Sequence, residues 1–92
     1  MEDRKIISYL LKKQFKPHFR GFKYIKDAIN IISNSSKSLF IVNDIYKPLA
    51  EKYNTKYSLV ERDIRYAIEH SDFNGCKNYE CLYKMVLELT YE

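Results

Sequence analysis

Apolar residues recur at helical spacing along most of this chain. From about Arg4 to Phe15, the positions Ile6, Ile7, Leu10 and Leu11 fall three and four apart, which predicts an amphipathic helix. The Lys16-Pro17 step ends it, because proline disfavours helical geometry in the residue before it. Gly21 opens the next segment, where Ile25, Ala28, Ile29 and Ile32 form a stripe that reaches about Ser33. Asn34-Ser35-Ser36 reads as a turn. From Lys37 to Tyr53 the pattern is helical but interrupted, and Pro48 either lies in the first turn of a helix ending near Tyr53 or kinks a longer one. Asp72-Phe73-Asn74-Gly75 is the last breaker. Beyond it, Asn78 to Thr90 predicts a final helix with Cys81, Leu82, Met85, Val86 and Leu89 on one side. The expected fold is all-α, a single domain over residues 1–92 with five to six helices.

The segment from Asn43 to His70 carries the most information. A helix ends near Tyr53, a short polar turn follows, and Ser58-Leu59-Val60-Glu61 has the spacing of a capping box, in which serine and glutamate satisfy each other's free amide groups. At 100° per residue, Ile64, Ala67, Ile68 and Ser71 fall within about 80° of Val60 and make a narrow apolar stripe. Ser58, Arg62, Arg65, Tyr66 and Glu69 fall on the opposite side, with Leu59 and Asp63 on one flank. Two helices joined by a short turn, with arginines on the outer face of the second, are how a reader of the DNA major groove is built. A helix-turn-helix over about residues 43–70 is therefore expected. Arginines on a solvated face, paired with neighbouring carboxylates, give the same periodicity; the turn and the cap favour DNA, and spacing alone does not.

Charge sharpens this reading. The net charge of +4 is unevenly spread: residues 1–30 balance at +5, residues 31–60 at +2 and residues 61–92 at −3. A polyanion would be drawn to one side of such a molecule. Single lysines such as Lys12, Lys13, Lys16, Lys23 and Lys26 serve equally well to solvate helix faces. The two glycines and two prolines argue against an all-β fold with many tight turns. The opening Met-Glu-Asp-Arg-Lys is unlike a signal peptide, and no apolar run approaches the ~20 residues that cross a bilayer, so no membrane association and a cytoplasmic location are expected.

Other chemistry finds little footing. His18 and His70 lie far apart, and neither sits at ligand spacing with a cysteine or carboxylate. Cys76 and Cys81 are spaced unlike the common zinc or redox motifs, so reduced thiols are expected, with Cys81 in the core. There is no Gly-rich phosphate loop, Gly-x-Ser-x-Gly elbow or His-Glu-x-x-His. No enzyme activity, cofactor, metal or small-molecule substrate is expected.

Several stretches occur in an order that matches a known family: Gly21-Phe22-Lys23-Tyr24-Ile25-Lys26-Asp27-Ala28-Ile29, Ile45-Tyr46, Leu49-Ala50-Glu51-Lys52-Tyr53-Asn54-Thr55, and Val60-Glu61-Arg62-Asp63-Ile64-Arg65-Tyr66-Ala67-Ile68-Glu69. They closely resemble the C-terminal DNA-binding domain of the stage-zero sporulation response regulators of Firmicutes. The resemblance runs from about Leu10 to Glu69 and continues more weakly into Asn78–Leu89. It implies an all-helical fold with a helix-turn-helix and a transcriptional regulator that binds short operators with a TGTCGAA-like box. Carried over by position, Glu61, Arg62 and Arg65 match the family's recognition-helix residues, and each arginine has the geometry for a bidentate contact to guanine. Thr55, Lys56 and Ser58 fall where phosphates are held. A second copy on tandem sites is a further expectation.

The departures are specific. Leu59 stands where the family has arginine, and Tyr66 where it has histidine. The loss of a cation removes a base or phosphate contact, while leucine suits a thymine methyl. The connection between the recognition helix and the last helix is much shorter than in the family, where that region helps neighbouring domains pack. The family's phosphorylated receiver domain is not expected within these ninety-two residues, whether they are one domain of a longer regulator or a stand-alone relative. The alternative expectation is a protein-interaction module that kept the fold and lost specific DNA recognition, with Leu59 and Tyr66 as the contact.

Overall fold

A computed structural model describes residues 1–91. Among them are five α-helices and no strand: α1 (Asp3–Lys12), α2 (Arg20–Ser33), α3 (Lys47–Lys52), α4 (Tyr57–Glu69) and α5 (Asn78–Thr90), with a π-helical segment Ile41–Tyr46 running directly into α3. None is long and apolar enough to cross a membrane. The stripes read from the sequence are the buried faces. Ile6 and Leu10 of α1, Ile25, Ala28 and Ile29 of α2, Val60, Ile64, Ala67 and Ile68 of α4, and Cys81, Leu82, Met85 and Leu89 of α5 all enter one core.

The helix α2 packs most extensively against α4, and Gly21 sets how closely they approach. A Cβ at position 21 would lie 2.2 Å from the Asp63 carbonyl oxygen and 2.8 Å from the Ala67 Cβ. Both are closer than van der Waals contact allows, so the crossing exists only because residue 21 has no side chain.

Two helices end in the same way. Gln14 (φ 66°) and Asn54 (φ 52°) are the non-glycine residues in the left-handed region among those described. After α1, the Phe15 amide donates to the Leu10 carbonyl (3.0 Å) and the Gln14 amide to Leu11 (3.1 Å). After α3, the Thr55 amide donates to Ala50 (2.9 Å) and the Asn54 amide to Glu51 (3.3 Å). Both pairs are the crossed bonds of a Schellman motif, which satisfies the last carbonyls of a helix and reverses the chain.

Two local expectations need correction. The helical pattern read from Lys37 begins only at Ile41, with π geometry. The wide turn lies just before Pro48, whose ring in a regular helix would clash with the carbonyl four residues back, at Asp44. The Asp44 carboxylate closes the segment's start by accepting from the Phe40 amide (2.7 Å). The capping box at Ser58 and Glu61 does not form. Once Asn54 has reversed the chain, Lys56 is extended (φ −97°, ψ 146°) and is itself the N-cap, without a side-chain cap bond. The Leu59 and Val60 amides donate to the Lys56 carbonyl (3.0 and 3.1 Å), so Ser58 already lies inside the first turn and Glu61 is free to pair elsewhere.

Candidate nucleic-acid interface

The inner face of α4 is fixed by the core, and its outer face is thereby determined. Ser58, Arg62, Arg65, Tyr66 and Glu69 are exposed, while Leu59, Glu61 and Asp63 are half-buried on the flanks. Counting 100° per residue from Val60, Arg62 lies at about 200°, near the centre of the outward face, with Arg65 and Tyr66 about 60° and 40° to either side of it. On the Arg65 side, Glu61, Arg65 and Glu69 line a cleft of about 430 Å³ whose other wall is Tyr46 and the segment 74–78. On the Tyr66 side lies the loop between α1 and α2.

Both arginines are held by carboxylates of their own helix. Arg65 Nη1 donates to Glu61 Oε1 one turn earlier, and Arg62 Nη2 donates to Asp63 Oδ1 at 3.3 Å. The Arg65–Glu61 pair, spaced four apart on an exposed helix, contributes little stability, about 0.3–0.5 kcal/mol, and the adjacent Arg62–Asp63 pair is not expected to contribute more. Each guanidinium makes one such bond and stays about half exposed, which leaves it further donors. Leu59, on the flank of the helix, is half-buried, and Tyr66 is exposed but packed on its neighbours. Its ring packs on Phe19 (centroids 5.1 Å) and on His70 (4.3 Å), and Phe19 also meets His18 (4.7 Å) and His70 (5.7 Å).

The turn before α4 carries Thr55, half-buried, and Lys56, exposed. It is held from behind by a network that the sequence did not announce. The carboxylate of Asp27, on α2 and 8% exposed, accepts from Lys52 Nζ (2.9 Å) and from the Tyr53 hydroxyl. The hydrogen bond to Asp27 raises the Lys52 pKa above its usual value, while burial, followed by the bond to Asp27, raises that of Tyr53. Lys23 lies over the Tyr53 ring (4.6 Å), and Tyr24 packs edge-on against it (5.3 Å). The end of α3, and with it the start of the turn, is thus tied to α2. A second unannounced link is Asn78, whose amide donates to the Tyr46 hydroxyl (2.9 Å) and to the Glu61 carbonyl (3.1 Å). It joins the start of α5 to the π segment and to the first turns of α4. Burial raises the Tyr46 pKa.

The sequence-derived residues therefore separate into two groups. Ser58, Arg62 and Arg65 share the outward face with the turn residues Thr55 and Lys56 at its N-terminal end; Leu59, Glu61 and Tyr66 border that face. The signals for Asp27 and Asn78 were absent, because a single polar residue among apolar ones says nothing about a partner 25 or 17 residues away. Among the described residues no group of three or more histidine, cysteine or acidic side chains is placed to hold a metal. Cys76 and Cys81 are free thiols, and burial pushes the Cys81 pKa up to about 12.

Residues 6–88 match the family model described as sporulation initiation factor Spo0A C terminal. The chain belongs to this family. Spo0A C-terminal domains are DNA-binding effector domains of transcription regulation in sporulation, not enzymes, and double-stranded DNA is their partner. Membership accords with the all-helical architecture, and the match runs from within α1 to within α5.

Proposed function

We propose that residues 1–92 form a single sequence-specific DNA-binding domain of a cytoplasmic transcription regulator, in which α3, the turn and α4 act as a helix-turn-helix. The observation that carries the reading is the outward face of α4, where Arg62 and Arg65 are exposed and oriented by carboxylates while the opposite face is fully buried. Set into a major groove, such a face presents the two guanidiniums to base edges, each suited to O6 and N7 of a guanine. Glu61 orients Arg65 and is positioned to accept from a cytosine amine. Ser58, Thr55 and Lys56 lie at the helix start, where phosphate contacts set register without reading sequence. Leu59 suits a thymine methyl, and Tyr66 supports the edge of the face.

The operator this predicts is a TGTCGAA-like box, with tandem boxes taking a second copy. Fluorescence anisotropy on a duplex with one such box, against a scrambled duplex, tests the reading over a salt series. Binding at least tenfold tighter to the box supports it; equal and steeply salt-dependent binding to both would leave only a basic, non-reading surface. The interaction-module alternative has less support, because Leu59 is half-buried and Tyr66, though half exposed, is one ring of a cluster with Phe19 and His70 rather than part of a continuous apolar patch with Leu59.

A further inference from the structure

The loop between α1 and α2 lies against the C-terminal half of α4. Phe19 is its anchor, with its ring against both Tyr66 (5.1 Å) and His70 (5.7 Å). Two further bonds fix the loop's approach: Lys16 Nζ donates to the His70 carbonyl (3.5 Å), and the Asp72 amide donates to the Lys13 carbonyl (3.0 Å). Arg20 follows Phe19 directly. It is exposed, and among the described residues it has no ion-pair partner, unlike Arg62 and Arg65. With His18, Phe19 and Tyr66 it lines a groove of about 310 Å³ beside α4. Gly21, the next residue, is clamped against the Asp63 carbonyl, so the backbone at position 20 has little freedom relative to the recognition helix.

The geometry points to Arg20 as a phosphate-binding residue outside the helix-turn-helix, holding the DNA backbone on the Tyr66 side of α4. This rests on the reading of α4 as the groove-bound helix. A helix seated in a major groove has a phosphate strand along each side, and a cation fixed beside it reaches that strand rather than the bases. The turn supplies Lys56 at the N-terminal end of α4; Arg20 supplies a cation beside its C-terminal half. The Asp63 carboxylate also lines the groove, where it is held by Arg62 at 3.3 Å, so the contact forms at the outer rim. Leaving Arg20 without a carboxylate partner suits this role, since no ion pair has to break when a phosphate arrives.

The test is the salt dependence of anisotropy for the wild-type chain and for Arg20→Ala, Arg20→Lys and Lys12→Ala, on box and scrambled duplexes. Removing one phosphate contact lowers the slope of log K against log salt by about 0.9 and weakens binding about fivefold near physiological salt. Arg20→Ala is expected to do this equally on both duplexes, Arg20→Lys to keep the wild-type slope, and Lys12→Ala, at an exposed position on α1, to change nothing. An unchanged slope for Arg20→Ala overturns the inference, as does a loss confined to the box, which would make Arg20 a base reader. If the wild-type chain binds neither duplex, the DNA reading of α4 itself fails and takes this inference with it. Thermal unfolding of each variant separates a lost contact from a lost fold.

Discussion

The two connections that border α4 begin alike and are held differently. Both follow a helix ended by a Schellman motif with a non-glycine residue in the left-handed region, Gln14 in one and Asn54 in the other. The turn before α4 is then secured by polar chemistry, the Asp27 carboxylate with Lys52 and Tyr53. The α1–α2 loop is secured chiefly by rings, with Phe15 against Phe73 (6.0 Å) and Phe19 against Tyr66 and His70. The bonds from Lys16 Nζ to the His70 carbonyl and from the Asp72 amide to the Lys13 carbonyl add to them. The difference shows how a small domain fixes one exposed helix from two sides. Its N-terminal end is positioned by directional bonds, which set the angle of the turn, and its C-terminal half by packing, which is less directional and rests on buried area.

The largest effect on both connections is expected where α2 meets α4. Gly21→Ala places a methyl group where the Asp63 carbonyl lies, and a loss of about 3 kcal/mol in urea unfolding is expected. Both connections would be displaced together, since α2 carries Asp27 at one and Arg20 at the other.

Asp27→Asn affects only the polar side. It removes the charge partner of Lys52 and weakens the bond from Tyr53, and a loss of about 1–2 kcal/mol at neutral pH is expected, with the solvent exposure of Lys52 keeping it modest. The pH dependence makes the test specific. The folded-state pKa values of Lys52 and Tyr53 are raised above 10.5 and 10.0, so their contribution is present below those values and is lost as pH rises through the folded ones. Urea midpoints from pH 9 to 11.5 should fall in the wild type, and fall less in Asp27→Asn.

The smallest effects come from the two left-handed residues. Gln14→Gly and Asn54→Gly each relieve a side-chain penalty and are expected to stabilise by about 0.5–1 kcal/mol, more at Gln14, because asparagine tolerates this region better. A destabilised Gln14→Gly in thermal unfolding would contradict the shared construction of the two helix ends. The thiols report on core integrity beside these sites. A disulfide-exchange reagent at neutral pH should modify Cys76 readily and Cys81 only on unfolding, because the Cys81 thiolate is scarce below its pKa of about 12.

How much was legible follows from the same physics. Periodicity located all five helices, because an amphipathic face is written in residues three and four apart. It also gave the inner face of α4 residue by residue, and so its outer face. The start of α3 was legible from Pro48 as one of two alternatives, and its end from the polar turn after Tyr53. The start of α4 was misread, because Ser58 and Glu61 have capping-box spacing while the chain reversal at Asn54 had already fixed the helix to begin at Tyr57. The π segment escaped because its cause is an avoided clash at Pro48, not a pattern of side chains. Phe19, Asp27 and Asn78 were out of reach for another reason. Each acts on a partner distant in sequence, and only the packed helices bring the two together.

Base reading by Arg62 and Arg65 is tested most directly by the discrimination between box and scrambled duplexes, measured at one salt concentration for the wild type and for Arg62→Ala and Arg65→Ala. Each substitution is expected to cost about 1–3 kcal/mol on the box and much less on the scramble, so that discrimination falls by roughly tenfold or more. An equal loss on both duplexes, with discrimination unchanged, would contradict base reading and reduce both arginines to phosphate contacts.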